Sequence, residues 1–250
     1  MITRSLTAAC LLAPWLAAGA QADTLFGIYA GAGKWQQNYE GDFASQGTAI
    51  DLEDDLDIDD EDNNVAYLAL EHGVPVMPNV RANYADISGS GSSTLSRTIT
   101  FRGEQFNVTQ AVSSEVDFEQ VDAIAYYEVL DNVVSLDLGV GARWVDGHVE
   151  VVSPTQSGRA DFEGTLPMLY GRARFDLPLT GLWLGGDLMG LTYDDHDLLD
   201  ATVQVGWESA VGLGAEVGYR TYRLDLDDID EIDGADIDIN GPYAAINYHF

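Results

Sequence analysis

Basic residues, cysteine and long apolar runs are all scarce in this sequence. Eleven Lys and Arg stand against 42 Asp and Glu, a formal net charge of −31. Binding to phosphate backbones needs clustered positive charge, so nucleic acid is excluded as a natural partner. The single cysteine, Cys10, falls in a segment expected to be removed, which leaves the mature chain without disulfide or thiol chemistry. No run of about 18 apolar residues follows position 22, so no transmembrane helix is expected. Hydrocarbon leaves no backbone polar group unpaired, which restricts spanning structures to helices and closed barrels. Chemistry-bearing motifs are also missing. There is no G-x-S-x-G, and His72, His148 and His249 are too scattered to suggest a metal set. The glycines of Gly27–Gly33 lie inside an expected strand and make no phosphate loop. No catalytic, cofactor or metal residue is therefore assigned.

The N-terminus reads as an export leader. Arg4 is its only charged side chain, Leu6 to Ala18 is a short apolar run, and Ala20-Gln21-Ala22 is a small-x-small cleavage site. The run is too short to span a bilayer, which takes about 20 residues. Thr7, three positions before Cys10, argues against a lipobox. Residues 1–22 are thus expected to be cleaved, with 23–250 forming one β domain. Loss of Arg4 leaves a mature formal charge of −32.

What is present is alternation with period 2. Along 133–145, Val134, Leu136, Leu138, Val140, Ala142 and Trp144 share one face, and Ser135, Asp137, Gly139, Gly141 and Arg143 the other. Segments 165–177, 199–208 and 213–222 repeat the pattern over about ten residues, the length of a tilted spanning strand. Weaker strands are expected at 24–36, 64–73, 79–88, 116–129, 182–193 and 240–250. In 182–193 an inward Asp187 also places Trp183 inside, and in 24–36 the small residues leave the parity open. The total predicts an all-β, transmembrane, antiparallel up-and-down barrel of about ten strands. Short turns alternate with longer polar connections at 37–63, 89–115, 146–164, 194–198 and 225–239. Residues 94–101 and 105–112 are expected to add a hairpin to the second of these.

The last strand, Ala244 to Phe250, turns Ala244, Ile246, Tyr248 and Phe250 to one side. It is expected to pair with both 213–223 and 24–36. Phe250 is expected to serve as the signal read by the outer-membrane assembly machinery. Arg81, Arg143, Arg172, Arg174 and Arg220 share the inward parity with Asp122, Glu128, Asp137, Asp176, Asp187 and Glu216. Such charges either line a pore or pair to fill a narrow lumen, and buried charges demand pairing. A filled barrel is the preferred expectation.

Acid is concentrated in two runs. Residues 51–62 hold nine carboxylates and residues 225–238 hold eight. The connections 37–63 and 225–239 that contain them are expected to be acidic outer loops, solvated and self-repelling, with weak divalent-cation binding beside lipopolysaccharide as the alternative. Asp228-x-Asp230-x-x-Asp233-Gly234 is one residue off a calcium-loop spacing and lacks the distal Glu. Asp194-Asp195-His196-Asp197 resembles, over four residues, the Asp–His dyad in the corresponding loop of ten-stranded outer-membrane proteases. The second acidic pair of those proteases has no counterpart here beyond Asp86.

Several stretches together resemble a functionally uncharacterised family of proteobacterial outer-membrane β-barrel proteins. They are Asp23 to Gly33, the acidic Asp51–Asp62 run, Asn64 to His72, Pro75 to Arg81, and Tyr248-His249-Phe250. The resemblance implies the barrel and its outer-membrane lipid setting, and it brings no catalytic residues. Three functions follow: a structural or surface-interaction barrel, expected to be non-enzymatic; a small-solute channel; and a surface protease using Asp194 and His196.

Overall fold

The computed structural model describes residues 26–74, 76–193, 196–229 and 232–250. Thirteen strands follow in order: β1 (Phe26–Ser45), β2 (Thr48–Asp51), β3 (Glu61–His72), β4 (Asn79–Thr94), β5 (Ile99–Phe101), β6 (Glu104–Phe106), β7 (Ala111–Asp131), β8 (Val134–Val152), β9 (Ser157–Asp176), β10 (Leu182–Tyr193), β11 (His196–Glu208), β12 (Leu213–Ile229) and β13 (Ile232–His249). All but β2, β5 and β6 are staves of one antiparallel barrel, each paired with its sequence neighbours among the staves. The barrel closes where β13 meets β1, from Tyr29 opposite His249 to Ala44 opposite Gly234. Phe250 extends this seam by exchanging two backbone hydrogen bonds with Ile28, both 2.9 Å. The expected pairing of the last strand with both neighbours is therefore present. The expected leader and cleavage site lie outside the described residues.

The ten expected strands all occur, but most run much further than alternation of lipid-facing apolar residues suggests. β8 shows why. Its even residues point outward throughout, and between Val134 and Trp144 these are apolar, with Val134, Leu138, Val140 and Trp144 exposed. At about 3.4 Å per residue and a tilt near 40°, that stretch spans about 25 Å, the height of a lipid-facing band. Beyond Trp144 the strand continues in the same parity, but its outward residues become Asp146, His148 and Glu150, while Val149 and Val151 are buried inside. β7 changes in the same way, from outward Val121, Tyr127 and Val129 to outward Glu115, Asp117 and Glu119 over inward Val116 and Phe118. The lower barrel is apolar outside and charged inside; the upper barrel is acidic outside and apolar inside. The 21 residues of β7 reach about 50 Å along the axis, twice the lipid band.

This inversion corrects the boundaries read from sequence. The segments taken as acidic loops, 37–63 and 225–239, are largely strand: β1 reaches Ser45, β3 begins at Glu61, β12 reaches Ile229 and β13 begins at Ile232. The connections at 89–115 and 146–164 shorten for the same reason. The expected hairpin in the second connection is present as β5 and β6. Parity assignments inside the membrane hold. Trp183 and Asp187 face inward, Leu184 and Leu188 outward, and β1 resolves with Trp35, Gln37, Tyr39 and Phe43 inside.

The acidic run 51–62 is not a repelling loop. It folds inward and closes the mouth, with Leu52, Leu56 and Ile58 buried between its carboxylates. The Asp51 carboxylate accepts the N–H groups of Glu53 at 2.9 Å and Asp54 at 2.8 Å, an Asx-type turn. Asp55 is paired with Arg97, which also donates to the Ala49 carbonyl at 2.6 Å. Room for this plug comes from two inward glycines of β4. A Cβ at Gly89 would lie 2.8 Å from the side chains of Ile58 and Tyr39, and one at Gly91 would land on the carbonyl oxygens of Leu56 and Asp57. Phe101, from the β5–β6 hairpin, packs edge-on against Phe43 at 5.6 Å and completes the cover.

Candidate functional site

The barrel interior gathers most of the charged chemistry expected to face inward. At mid-height Arg143 of β8 is fully buried. Its Nε donates to Asp122 Oδ1 at 2.7 Å, and its Nη2 donates to Asp122 Oδ2 at 3.0 Å and Asp200 Oδ2 at 2.7 Å. Arg220 of β12 donates to both oxygens of Asp200, at 2.8 and 2.7 Å. Turned to face the two guanidinium groups, the Gln120 amide oxygen accepts from Arg220 at 2.9 Å and Arg143 at 3.3 Å. Arg220 lies over the Trp35 ring at 4.5 Å, and Arg143 lies near that of Tyr222 at 5.6 Å. The cluster joins β7 and β8 to β11 and β12, and so crosses the lumen instead of following one wall.

Towards the turn end, side-chain contacts link neighbouring and next-but-one staves around the inner wall. Tyr126 of β7 donates to Glu71 of β3 at 2.8 Å, Asn79 of β4 to Glu128 of β7 at 3.3 Å, and Asn247 of β13 to Glu216 of β12 at 2.8 Å. Tyr243 is hydrogen-bonded to Gln204, which donates to Asp187 at 2.9 Å. Arg172 faces Asp187 at 3.8 Å, Arg81 stacks on Tyr67 at 4.4 Å, and Arg174 bonds Asp176 at 2.8 Å while lying over Trp183. A pocket of about 100 Å³ remains, bordered by Tyr67, Arg81, Arg172, Asp187 and Arg220 together with apolar residues such as Trp35, Val65 and Met189. All five inward arginines named from sequence thus have charged, polar or aromatic partners, and together they narrow the lumen to this pocket.

The other sequence candidates separate. Asp194 lies outside the described residues. His196 begins β11 on the inward parity, and its Nδ1 accepts the Asp227 N–H at 3.3 Å. Asp86 sits on the outward parity of β4, between buried Ala85 and Ile87, so it occupies the opposite face of the wall from His196. There its carboxyl is raised above the usual range, by burial first and then by repulsion from Asp117 and Glu119. Of the calcium-like run, Asp230 lies outside the described residues, while Asp233 accepts the Gly47 N–H at 2.7 Å and Gly234 is paired within β13.

One grouping was invisible in the sequence. Glu115 and Glu150 are cross-strand partners on β7 and β8, and His148 lies two residues from Glu150 on the same outer face. Their potential ligand atoms all lie within 4.8 Å of one another. Only the β7–β8 register brings position 115 to positions 148 and 150.

No family model and no curated protein matches the chain. Solved structures do. The outer membrane protease OmpT of Escherichia coli aligns over 92% of this chain and 99% of its own, with a TM-score of 0.56 at 12% identity. The Ail attachment invasion locus protein of Yersinia pestis aligns over 90% and 99%, with TM-score 0.40 and 12% identity. The translocator domain of the autotransporter NalP of Neisseria meningitidis aligns over 92% and 90%, with TM-score 0.43 and 11% identity. At such identities the likeness speaks for the fold. With the closed ten-stave sheet and the exposed apolar belt, the likeness to OmpT gives the chain the fold of an outer-membrane β-barrel.

Proposed function

We propose that the protein is a non-conducting outer-membrane barrel of structural or surface-interaction type, anchored in lipid by its lower half and carrying an acidic turret above the membrane. Short turns face the periplasm in barrels of this kind, which sets the capped end at the cell surface. The observation that carries the reading is the buried Arg143, which ties Asp122 and Asp200 together across the lumen. Ions cannot pass this buried cluster without breaking its ion pairs, at a cost of several kcal/mol. The mouth above is closed a second time by Leu52, Leu56 and Phe101. The resemblance to the uncharacterised proteobacterial barrel family belongs to this reading, as do two partners. Lipopolysaccharide would surround the belt, with divalent cations weakly held by outer-face carboxylates such as those around His148. The assembly machinery would engage the strand that ends at Phe250.

Planar-bilayer recording of the full mature chain tests the proposal. The expected trace shows no steady open level. A steady level whose ion selectivity shifts in Arg172→Gln would instead make the protein a small-solute channel.

A further inference from the structure

Above the ionic plug, the inverted upper barrel encloses a cavity of about 190 Å³. Phe118, Phe162, Leu166, Leu198, Leu224 and Ile237 are among its walls, and Tyr222 separates it from Arg143. An apolar cavity near 150 Å³ stays dry and binds benzene in a well-studied engineered case, so this one is large enough for a small ring compound.

The cavity also reaches the outside of the wall. Asp161, Glu163 and Gly164 border it, although Asp161 and Glu163 carry the outward parity of β9. The reason is the short β10–β11 pair. The ladder between β9 and β10 ends at Leu169 opposite Gly190, and β10 ends at Tyr193, whereas β9 begins at Ser157. On the far side, β12 pairs with β11 only as far as Asp225 opposite Asp197, yet runs on to Ile229. Among the described residues, the upper parts of β9 and β12 therefore face a gap without ladder partners. A Cβ at Gly164 would meet nothing within 4 Å, as expected for a residue at an opening. The gap stands above exposed Leu169 and Leu199, near the upper end of the lipid belt on β9 and β11.

We propose that this cavity is a binding site for a small uncharged apolar molecule, about the size of a substituted benzene, which enters sideways through the gap between β9 and β12. The apolar walls select against charge. Arg159 pairs with Asp161, but Glu163, Asp197, Asp225 and Asp227 on the bordering strands leave the mouth negative and turn away anions. The position above the belt suits a solute that partitions into the outer leaflet. The site does not depend on whether the plug below conducts.

The test is fluorine NMR with fluorobenzene on the full mature chain in lipid nanodiscs, using empty nanodiscs to subtract partitioning. The expected result is a saturable one-to-one component that benzoate does not displace. Ala160→Phe, which points a ring into the cavity, should abolish that component while the barrel keeps its folded, heat-modifiable gel migration; Leu166→Phe serves if that variant fails to fold. Gly164→Trp, placed in open space at the mouth, should slow exchange several-fold with little change in affinity. Absence of a saturable component, its persistence in a folded cavity-filled variant, or equal competition by benzoate would overturn the proposal.

Discussion

Arg143→Met removes one of four mutually balanced charges at the centre of the barrel. The side chain is fully buried and holds Asp122, itself 1% exposed, through two hydrogen bonds of 2.7 and 3.0 Å. Asp200 keeps Arg220 after the change, but Asp122 is left with only Asn83, at 3.3 Å. A buried carboxylate stripped of its partner costs about 3–5 kcal/mol. Removing both members of the pair restores neutrality, because the Arg220–Asp200 pair stays intact. The double variant Arg143→Met/Asp122→Leu should therefore recover most of that loss, short of about 1 kcal/mol for the Asn83 N–H that exchanges a carboxylate for the Met189 sulfur alone. Urea unfolding in lipid vesicles, followed by tryptophan fluorescence and gel migration, measures all four corners of this double-mutant cycle. If the single variants lose less than about 1 kcal/mol, or the double variant loses the sum of the singles, the pair is not the closed ionic unit argued for above.

Gly91→Val should expel the 52–58 segment from the mouth, because the new side chain meets the carbonyls of Leu56 and Asp57. Overpacking of about 1–3 kcal/mol is expected, read as faster external protease cleavage near residue 55 in a barrel that still migrates as folded. Asp86→Asn should stabilise the barrel at neutral pH. The Asp86 carboxyl is raised in the fold by burial and by Asp117 and Glu119, so the native state holds its proton more tightly than the unfolded chain does. The penalty is present above the folded value and fades as pH falls through it, so wild type and variant should converge in acid; a gap that widens in acid refutes the sign. Deleting Phe250 removes its two hydrogen bonds to Ile28, each worth about 0.5–1.5 kcal/mol. It should slow barrel closure in a pulse-chase insertion assay, and unchanged kinetics would show the terminal pair to be dispensable.

Much of this molecule was legible before its fold was seen. Ten staves, the outward faces of β8, β9, β11 and β12, the inward arginines and the closing seam all follow from period-2 alternation. That signal works where lipid imposes one rule, apolar out and polar in. It misleads where the strands leave the membrane. Asp225, Asp236 and Asp238 look like loop residues because they are acidic, yet they lie on strands whose other face, with Leu224, Ile237 and Ile239, is the core of the turret. The acidic run 51–62 misled for a related reason. Nine carboxylates outweigh Leu52, Leu56 and Ile58 in any local average, although those three residues decide where the segment goes.

The sequence by itself determined the architecture, the membrane setting and the sign of the charge, because a repeat of two and a count of carboxylates need no partner to be read. Only the tertiary structure decided which charge pairs with which. Arg143 meets Asp200 across 57 positions, and Glu115 meets His148 across a strand register, contacts that closure alone creates. The apolar cavity likewise belongs to no segment. It exists because the closed sheet turns apolar side chains inward above the membrane, and it opens sideways because, among the described residues, β10 and β11 stop while β9 and β12 continue.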